Sequence, residues 1–220
     1  MTSNKKIMTA VVTGGHPFNV IAFSELFGSL DSVDPYFQHL DEFSADARNR
    51  DRYDVVLFYH MFFPTPDDQG EKAEQKVRAA LELLGQTQQG IFVLHHATLA
   101  YPDWDLWTDV VGIPDRRFDY HLDQHLSCAV EPPDHPITRE IGDFTIDDET
   151  YTMASAEADQ GNTVLLTTQH TPSMRTLAWT RTFGKSPVFC YQAGHNHQAY
   201  EHPQFRALVE RGIQWCAGRI

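Results

Sequence analysis

Two stretches, "YDVVLFYH" (Tyr53 to His60) and "GIFVLHH" (Gly90 to His96), carry unbroken apolar runs that stop at histidine. A strand with one wet face alternates polar and apolar residues, so a continuous run fits a strand covered on both faces. That is a strand of a parallel sheet between helical layers. "IMTAVVT" (Ile7 to Thr13) reads as another strand, followed by a "GGHPF" turn and by Val20, Phe23, Phe27 and Leu30 at helical spacing. A charged amphipathic helix is expected from about Glu71 to Leu84, after the loop "MFFPTPDDQG". Strands alternating with helices over 220 residues predict one α/β domain, residues 1–220, with a mostly parallel central sheet.

The second half is less regular. From Gly112 to Gln160 the chain is dense in Pro, Asp and His, with only short strand candidates such as "SCAVE". "TVLLTT" (Thr163 to Thr168), "TLAWTRTFG" and "SPVFCYQAG" then read as strands joined by tight turns. "HPQFRALVERGIQWCAG" closes the chain as a helix with Phe205, Leu208, Val209, Ile213 and Cys216 inward.

Composition excludes some functions. Seventeen Lys and Arg against thirty Asp and Glu give a formal charge of −13, which repels phosphate backbones and anionic lipid. No nucleic-acid or membrane partner is expected. Met1 to Lys6 is polar and Ile7 to Val12 is too short for a signal core or a membrane span, so a cytoplasmic protein is expected. Cys128, Cys190 and Cys216 form no CxxC and read as small buried hydrophobes, neither disulfide nor nucleophile.

Twelve histidines remain to be explained. The predicted strands are followed by Gly14-Gly15-His16, by His60, by His95-His96 and by Gly194-His195-Asn196-His197. Ligands of open parallel sheets bind outside the carboxyl ends of the strands, so these side chains gather on one rim. His60 and His197 are read as ordinary loop histidines. His16, His95 and His195 are read as site residues, with Gly15 and His96 beside the ligand. "DYHLDQH" is read as extended, which argues against a metal pair of His121 and His125. "TIDDETY" is either a solvated acidic turn or the source of a carboxylate, Asp148 or Glu149, for the site. Trp104 and Tyr151 are the candidate stacking surfaces for a sugar ring.

"VVTGGHPF", "VLHHATLAYPDWDLWTDVVG", "DHPITREIGDFTIDDETY" and "VFCYQAGHNHQAYEHPQFRALVERGIQWCAG" together resemble the trehalose-utilisation (ThuA-like) family, within the class I glutamine amidotransferase-like superfamily. The resemblance spans nearly the whole chain. It implies a flavodoxin-like three-layer α/β sandwich, a role in carbohydrate metabolism and an association with a sugar oxidoreductase of the same pathway. In the amidotransferases the turn matching "LHHA" is a nucleophile elbow holding cysteine, with a histidine after a late strand. Here those positions hold His95 and His195. Imidazole cannot replace the thiolate of a stable acyl-enzyme, so the resemblance implies the place of the site without its amidase chemistry. The chain departs from the commoner pattern in His96 and in Asn196, where aspartate often follows the late histidine.

Three functions stay open. One is an enzyme acting on a sugar or keto-sugar, with His95 and His195 as acid and base and Asp148 or Glu149 as the carboxylate. The second adds a divalent metal, zinc by ligand type, on His16, His95 and His195 with a carboxylate, Asp148 or Glu149, or water completing the shell. The third is a non-catalytic sugar-binding or scaffold protein. Homo-oligomerisation is left open by the sequence.

Overall fold

The structure, a computed structural model, describes residues 5–220; Met1 to Asn4 of the polar N-terminus lie outside the described residues. The first half runs β1 (Ile7–Gly14), α1 (Val20–Gly28), β2 (Val33–His39), α2 (Leu40–Ser44), α3 (Ala47–Arg50), β3 (Val55–His60), α4 (Lys72–Leu81), β4 (Gly90–Leu94) and α5 (Asp105–Val111). The second half runs β5 (Asp119–Val130), β6 (Phe144–Thr152), β7 (Thr163–Thr167), β8 (Thr176–Phe183), β9 (Ser186–Tyr191), α6 (His197–Glu201) and α7 (Pro203–Cys216).

Among the described residues the strands form one sheet in the order β2-β1-β3-β4-β9-β8-β7-β5-β6. Alternate residues of each central strand feed opposite faces. Val11, Leu57 and Phe92 pack against Phe23 of α1 and Leu208 and Ile213 of α7, while Val12, Phe58 and Val93 pack against Leu40, Val77 and Val110 of α2, α4 and α5. This double coverage is why β3 and β4 are apolar throughout.

The expectation of a mostly parallel sheet needs correction. Pairing is parallel from β2 through β1, β3 and β4 to β9, and antiparallel from β9 through β8, β7 and β5 to β6. β8 and β9 are joined by a two-residue turn, Gly184-Lys185, and a connection that short can only return antiparallel. The N-terminal helix also differs in detail. Asn19 caps it, so Val20 is its first residue and is 64% exposed; the buried stripe is Phe23, Leu26 and Phe27, and Leu30 lies beyond its end. β2 escaped the sequence reading because it is an edge strand with Pro35 inside and Tyr36 and Phe37 exposed.

The largest correction concerns Gly112 to Gln160, which holds a long hairpin instead of irregular chain. β5 meets β7 only at Ala129 and Val130; from Asp119 to Cys128 it pairs with β6. Beyond those two residues this two-stranded ribbon continues away from β7 and brings Tyr120, Leu122 and Glu149 to a cavity shared with His16, His95 and His195 at the ends of the parallel strands. A bulge between His121 and Gln124, with Asp123 at φ 54°, breaks its alternation and hid it from pattern reading. "TIDDETY" is therefore strand β6, not an acidic turn. His121 and His125 each have their own cross-strand partner, Thr152 Oγ1 at 2.8 Å and Asp147 Oδ1 at 2.6 Å.

Candidate active site

β4 runs straight into a 3-10 turn, His95–Leu99, all of it buried. The first residue of that turn, His95, has φ 52°, a left-handed conformation that only a well-supported non-glycine residue keeps. The turn is supported from below. The guanidinium of Arg116, 2% exposed, donates to the carbonyls of Thr98 (3.3 Å), Ala100 and Tyr101 (2.7 Å) and to Thr108 Oγ1 (3.0 Å). Trp107 Nε1 donates to the Ala97 carbonyl at 2.9 Å.

The strain points the His95 ring into the rim. Its Nδ1 lies 2.6 Å from the Gln192 carbonyl, which can only accept, so Nδ1 carries the proton and Nε2 presents a lone pair. Around that nitrogen stand His195 Nδ1 at 3.3 Å, Tyr151 Oη at 2.9 Å and Glu149 Oε1 at 3.7 Å; Glu149 Oε2 is 3.2 Å from His195 Nδ1. Among the described residues, His95, Glu149 and His195 form the one group of three with metal-ligand atoms this close together.

The turn carrying His195 is held as firmly. Asp148 is buried and its carboxylate accepts from the backbone N–H groups of Gly194 (2.5 Å), His195 (3.0 Å) and Glu149 (2.9 Å). Gly194, at φ 123°, is the residue type that lets the chain turn so that two successive amides face one carboxylate. Tyr59 Oη donates to the Gly194 carbonyl at 2.8 Å and Tyr200 Oη to that of His195 at 3.2 Å. Asn196, at the position of the missing aspartate, caps α6 through a 2.9 Å bond to Gln198 N.

Electrostatically the site favours neutral imidazoles around carboxylates. Burial pushes His95 down to about 3, lowers His96 further and lowers His195. Burial also raises Glu149, and raises Asp148 to about 7 against the opposing pull of its three N–H donors. The cavity has a volume of about 460 Å³ and contains no Lys or Arg side chain in its lining.

The structure distributes the sequence candidates unevenly. His16, His95, His96, Glu149 and His195 line one cavity. The His16 ring lies 4.6 Å from that of His96 and 6.1 Å from that of His195, so Glu149, not His16, is the third member of the tight group. Gly15 serves chain packing, because a Cβ there would meet the Met61 carbonyl. Tyr151 is wholly buried and offers its hydroxyl to His95, so it is no stacking surface. Nor is Trp104, which packs in the opposite layer against Tyr101 and lies under Arg78. Gln192, Tyr59, Tyr200 and Arg116 were missed by sequence reasoning; only Gln192, a polar residue between "VFCY" and the glycine turn, left a trace.

His60 is buried in the opposite layer among Phe58, Tyr101 and Trp107, with neither ring nitrogen hydrogen-bonded. Burial pushes it down to about 3, so from pH 6.5 to about 3 the unfolded chain binds a proton that the folded chain refuses. Its share of stability therefore falls as pH falls, by about 1.4 kcal/mol per pH unit. His60→Phe is expected to make urea-unfolding free energy less steep between pH 6 and 4; an unchanged slope would refute this.

A family model described as trehalose utilisation matches residues 20–216. The chain belongs to the ThuA family. Among solved structures, this ThuA-family chain is similar to a ThuA-like protein from Parabacteroides merdae, with a TM-score of 0.75 at 16% identity over 98% of this chain and 92% of that one. It is also similar to a glutamine amidotransferase from Thermotoga maritima (TM-score 0.55, 8% identity, 96% and 98% covered). A β-galactosidase from Bacillus circulans sp. alkalophilus matches with a TM-score of 0.63 at 12% identity, over 98% of this chain but 31% of the enzyme. At these identities the likeness is one of fold, the three-layer class I glutamine amidotransferase-like sandwich. No curated protein matches the sequence.

The ThuA chain has no thiolate where the amidotransferase resemblance puts the nucleophile. Cys128, Cys190 and Cys216 are buried free thiols, all raised by burial, Cys128 to about 12. No helix among the described residues is long and apolar enough to cross a membrane.

Proposed function

We propose that this ThuA-family chain holds a divalent cation, zinc by its ligand set, on His95 Nε2, His195 Nδ1 and Glu149, and uses the site for acid–base chemistry on a sugar or keto-sugar. The carrying observation is that His95 Nε2 and His195 Nδ1 lie 3.3 Å apart, with one Glu149 oxygen 3.7 Å from the first and the other 3.2 Å from the second, so that one ligand atom from each residue lies within 4.8 Å of the others. Atoms bound at 2.0 to 2.1 Å around a tetrahedral centre lie about 3.3 Å apart. Gln192 fixes the His95 tautomer that ligation needs, the outer-shell pattern of metal-bound histidine. Two buried carboxylates, with no Lys or Arg side chain in the cavity lining, also favour a cation.

When bound, the ion polarises a carbonyl or hydroxyl oxygen. Asp148 orients the His195 turn. His16, partly buried beside His96, is the imidazole outside the metal-ligand group that could move a proton between substrate and solvent. The family's tie to trehalose utilisation supports a carbohydrate substrate.

Zinc uptake tests the reading. Titration calorimetry with metal analysis is expected to give about one equivalent for the natural chain and at least tenfold weaker binding for Glu149→Gln and His195→Ala. Uptake that those substitutions leave unchanged, or none at all, would overturn the metal. The 2.9 Å bond from Tyr151 to His95 Nε2 supports a second, metal-free reading in which His95, His195 and Glu149 act alone as acid and base. Turnover of a keto-sugar by chelator-treated protein would favour it.

A further inference from the structure

Eight large apolar side chains are strongly exposed among the described residues, and three of them, Phe63, Tyr120 and Leu122, line the same cavity as His95 and Glu149. They come from two places: Phe63 from the loop after β3, Tyr120 and Leu122 from β5. Phe118 joins them, its ring nearly parallel to that of Phe63 (18°) with centroids 6.3 Å apart. The result is a polar floor of imidazoles and carboxylate under an apolar, largely aromatic mouth. Exposed Tyr120 (62%) and Leu122 (49%) gain nothing from the fold by being apolar, and the bulge after Leu122 sets this end of β5 beside the cavity.

Charge narrows what this mouth accepts. Asp123 adds an acidic group near His195 at the same bulge. The basic residue next to Phe118, Arg117, is held by Asp115 through paired bonds of 2.9 and 2.5 Å. The charge of a divalent ion on the floor would be offset in part by Glu149, and no Lys or Arg lines the cavity to hold a phosphate or carboxylate.

We propose that Phe63, Phe118, Tyr120 and Leu122 form a subsite for an uncharged glycoside, whose apolar face or aglycone packs on the mouth while its hydroxyl or carbonyl oxygens meet the histidine floor. This deepens the sugar reading above and rests on it for the identity of the floor. Phosphorylated and acidic sugars are excluded, and the hairpin, not the parallel sheet, sets specificity.

The probes are 4-nitrophenyl glucopyranoside and glucose 6-phosphate, titrated calorimetrically into zinc-treated and chelator-treated protein. The neutral glycoside is expected to bind at least tenfold more tightly than the phosphate. Tyr120→Ala/Leu122→Ala is expected to weaken it at least fivefold with zinc stoichiometry and melting temperature unchanged. Equal or tighter binding of the phosphate, no binding of the glycoside, or unaltered affinity in the double variant would overturn the subsite. A dimer-to-monomer change in sedimentation without a change in glycoside affinity would assign the apolar surface to a second copy, and also overturn it. Glycoside binding without zinc uptake would uphold the subsite while overturning the metal, so the two failures are distinct.

Discussion

Arg116→Ala is expected to lower the unfolding free energy by about 3 to 5 kcal/mol, or about 10 °C in Tm for a chain of this size. The buried guanidinium satisfies three carbonyls and a threonine hydroxyl around the turn that follows β4. Removing it orphans those acceptors where water cannot readily replace it and leaves a cavity as well. Arg116→Lys is expected to recover only part of the loss, because one ammonium cannot reach acceptors on both sides of a planar fork. Urea unfolding followed by tryptophan fluorescence reads both. A loss under 1 kcal/mol for the alanine variant would show that the turn supports itself. A His95 spectrum unchanged by NMR would show that the support does not reach the site.

Asp148→Ala is expected to cost about 2 to 4 kcal/mol and to disorder the His195 turn. Three backbone N–H groups lose their acceptor, and relief of a buried carboxyl offsets only part of the cost. Asp148→Asn is the sharper probe. Its amide keeps one acceptor oxygen but turns a donor toward amides that are donors themselves. It is expected to retain most of the stability while weakening zinc at least tenfold, because His195 shifts. Hydrogen exchange at Gly194 and His195 checks this; protection equal to that of the natural chain would argue against Asp148 as the residue that fixes the turn.

The histidine rim was legible because strand ends are legible. Apolar runs such as "VVLFYH" and "GIFVLHH" mark where strands stop, and parallel topology brings those stops together. Direction was not legible: His60 ends a strand like the others, yet its side chain turns into the opposite layer. The carboxylates were half legible. "DDE" announced charge, but a bulged ribbon with a wet face has no clean period, so neither β5 nor its approach to the cavity could be read. Trp104 and Tyr151 were assigned by residue type, a guide that fails where a large aromatic is needed to fill the core. The supporting bond from Tyr59 joins residues 135 apart, and those from Arg116 and Tyr200, though nearer in sequence, go to backbone carbonyls that no residue pattern marks.

β9 enters the sheet between β4 and β8, although nearly all of the chain precedes it. It is the keystone of an arch: without it the sheet is two separate pieces, β2-β1-β3-β4 and β8-β7-β5-β6, with His95 on one and Glu149 on the other. The pairing of β9 with β4, Ile91 against Val188, is non-local, and contacts of that kind slow folding. A chain that has yet to place Ser186 to His195 therefore holds Asp148 and Glu149 without His195 beside them, and the group of His95, Glu149 and His195 cannot form before the two pieces of the sheet join.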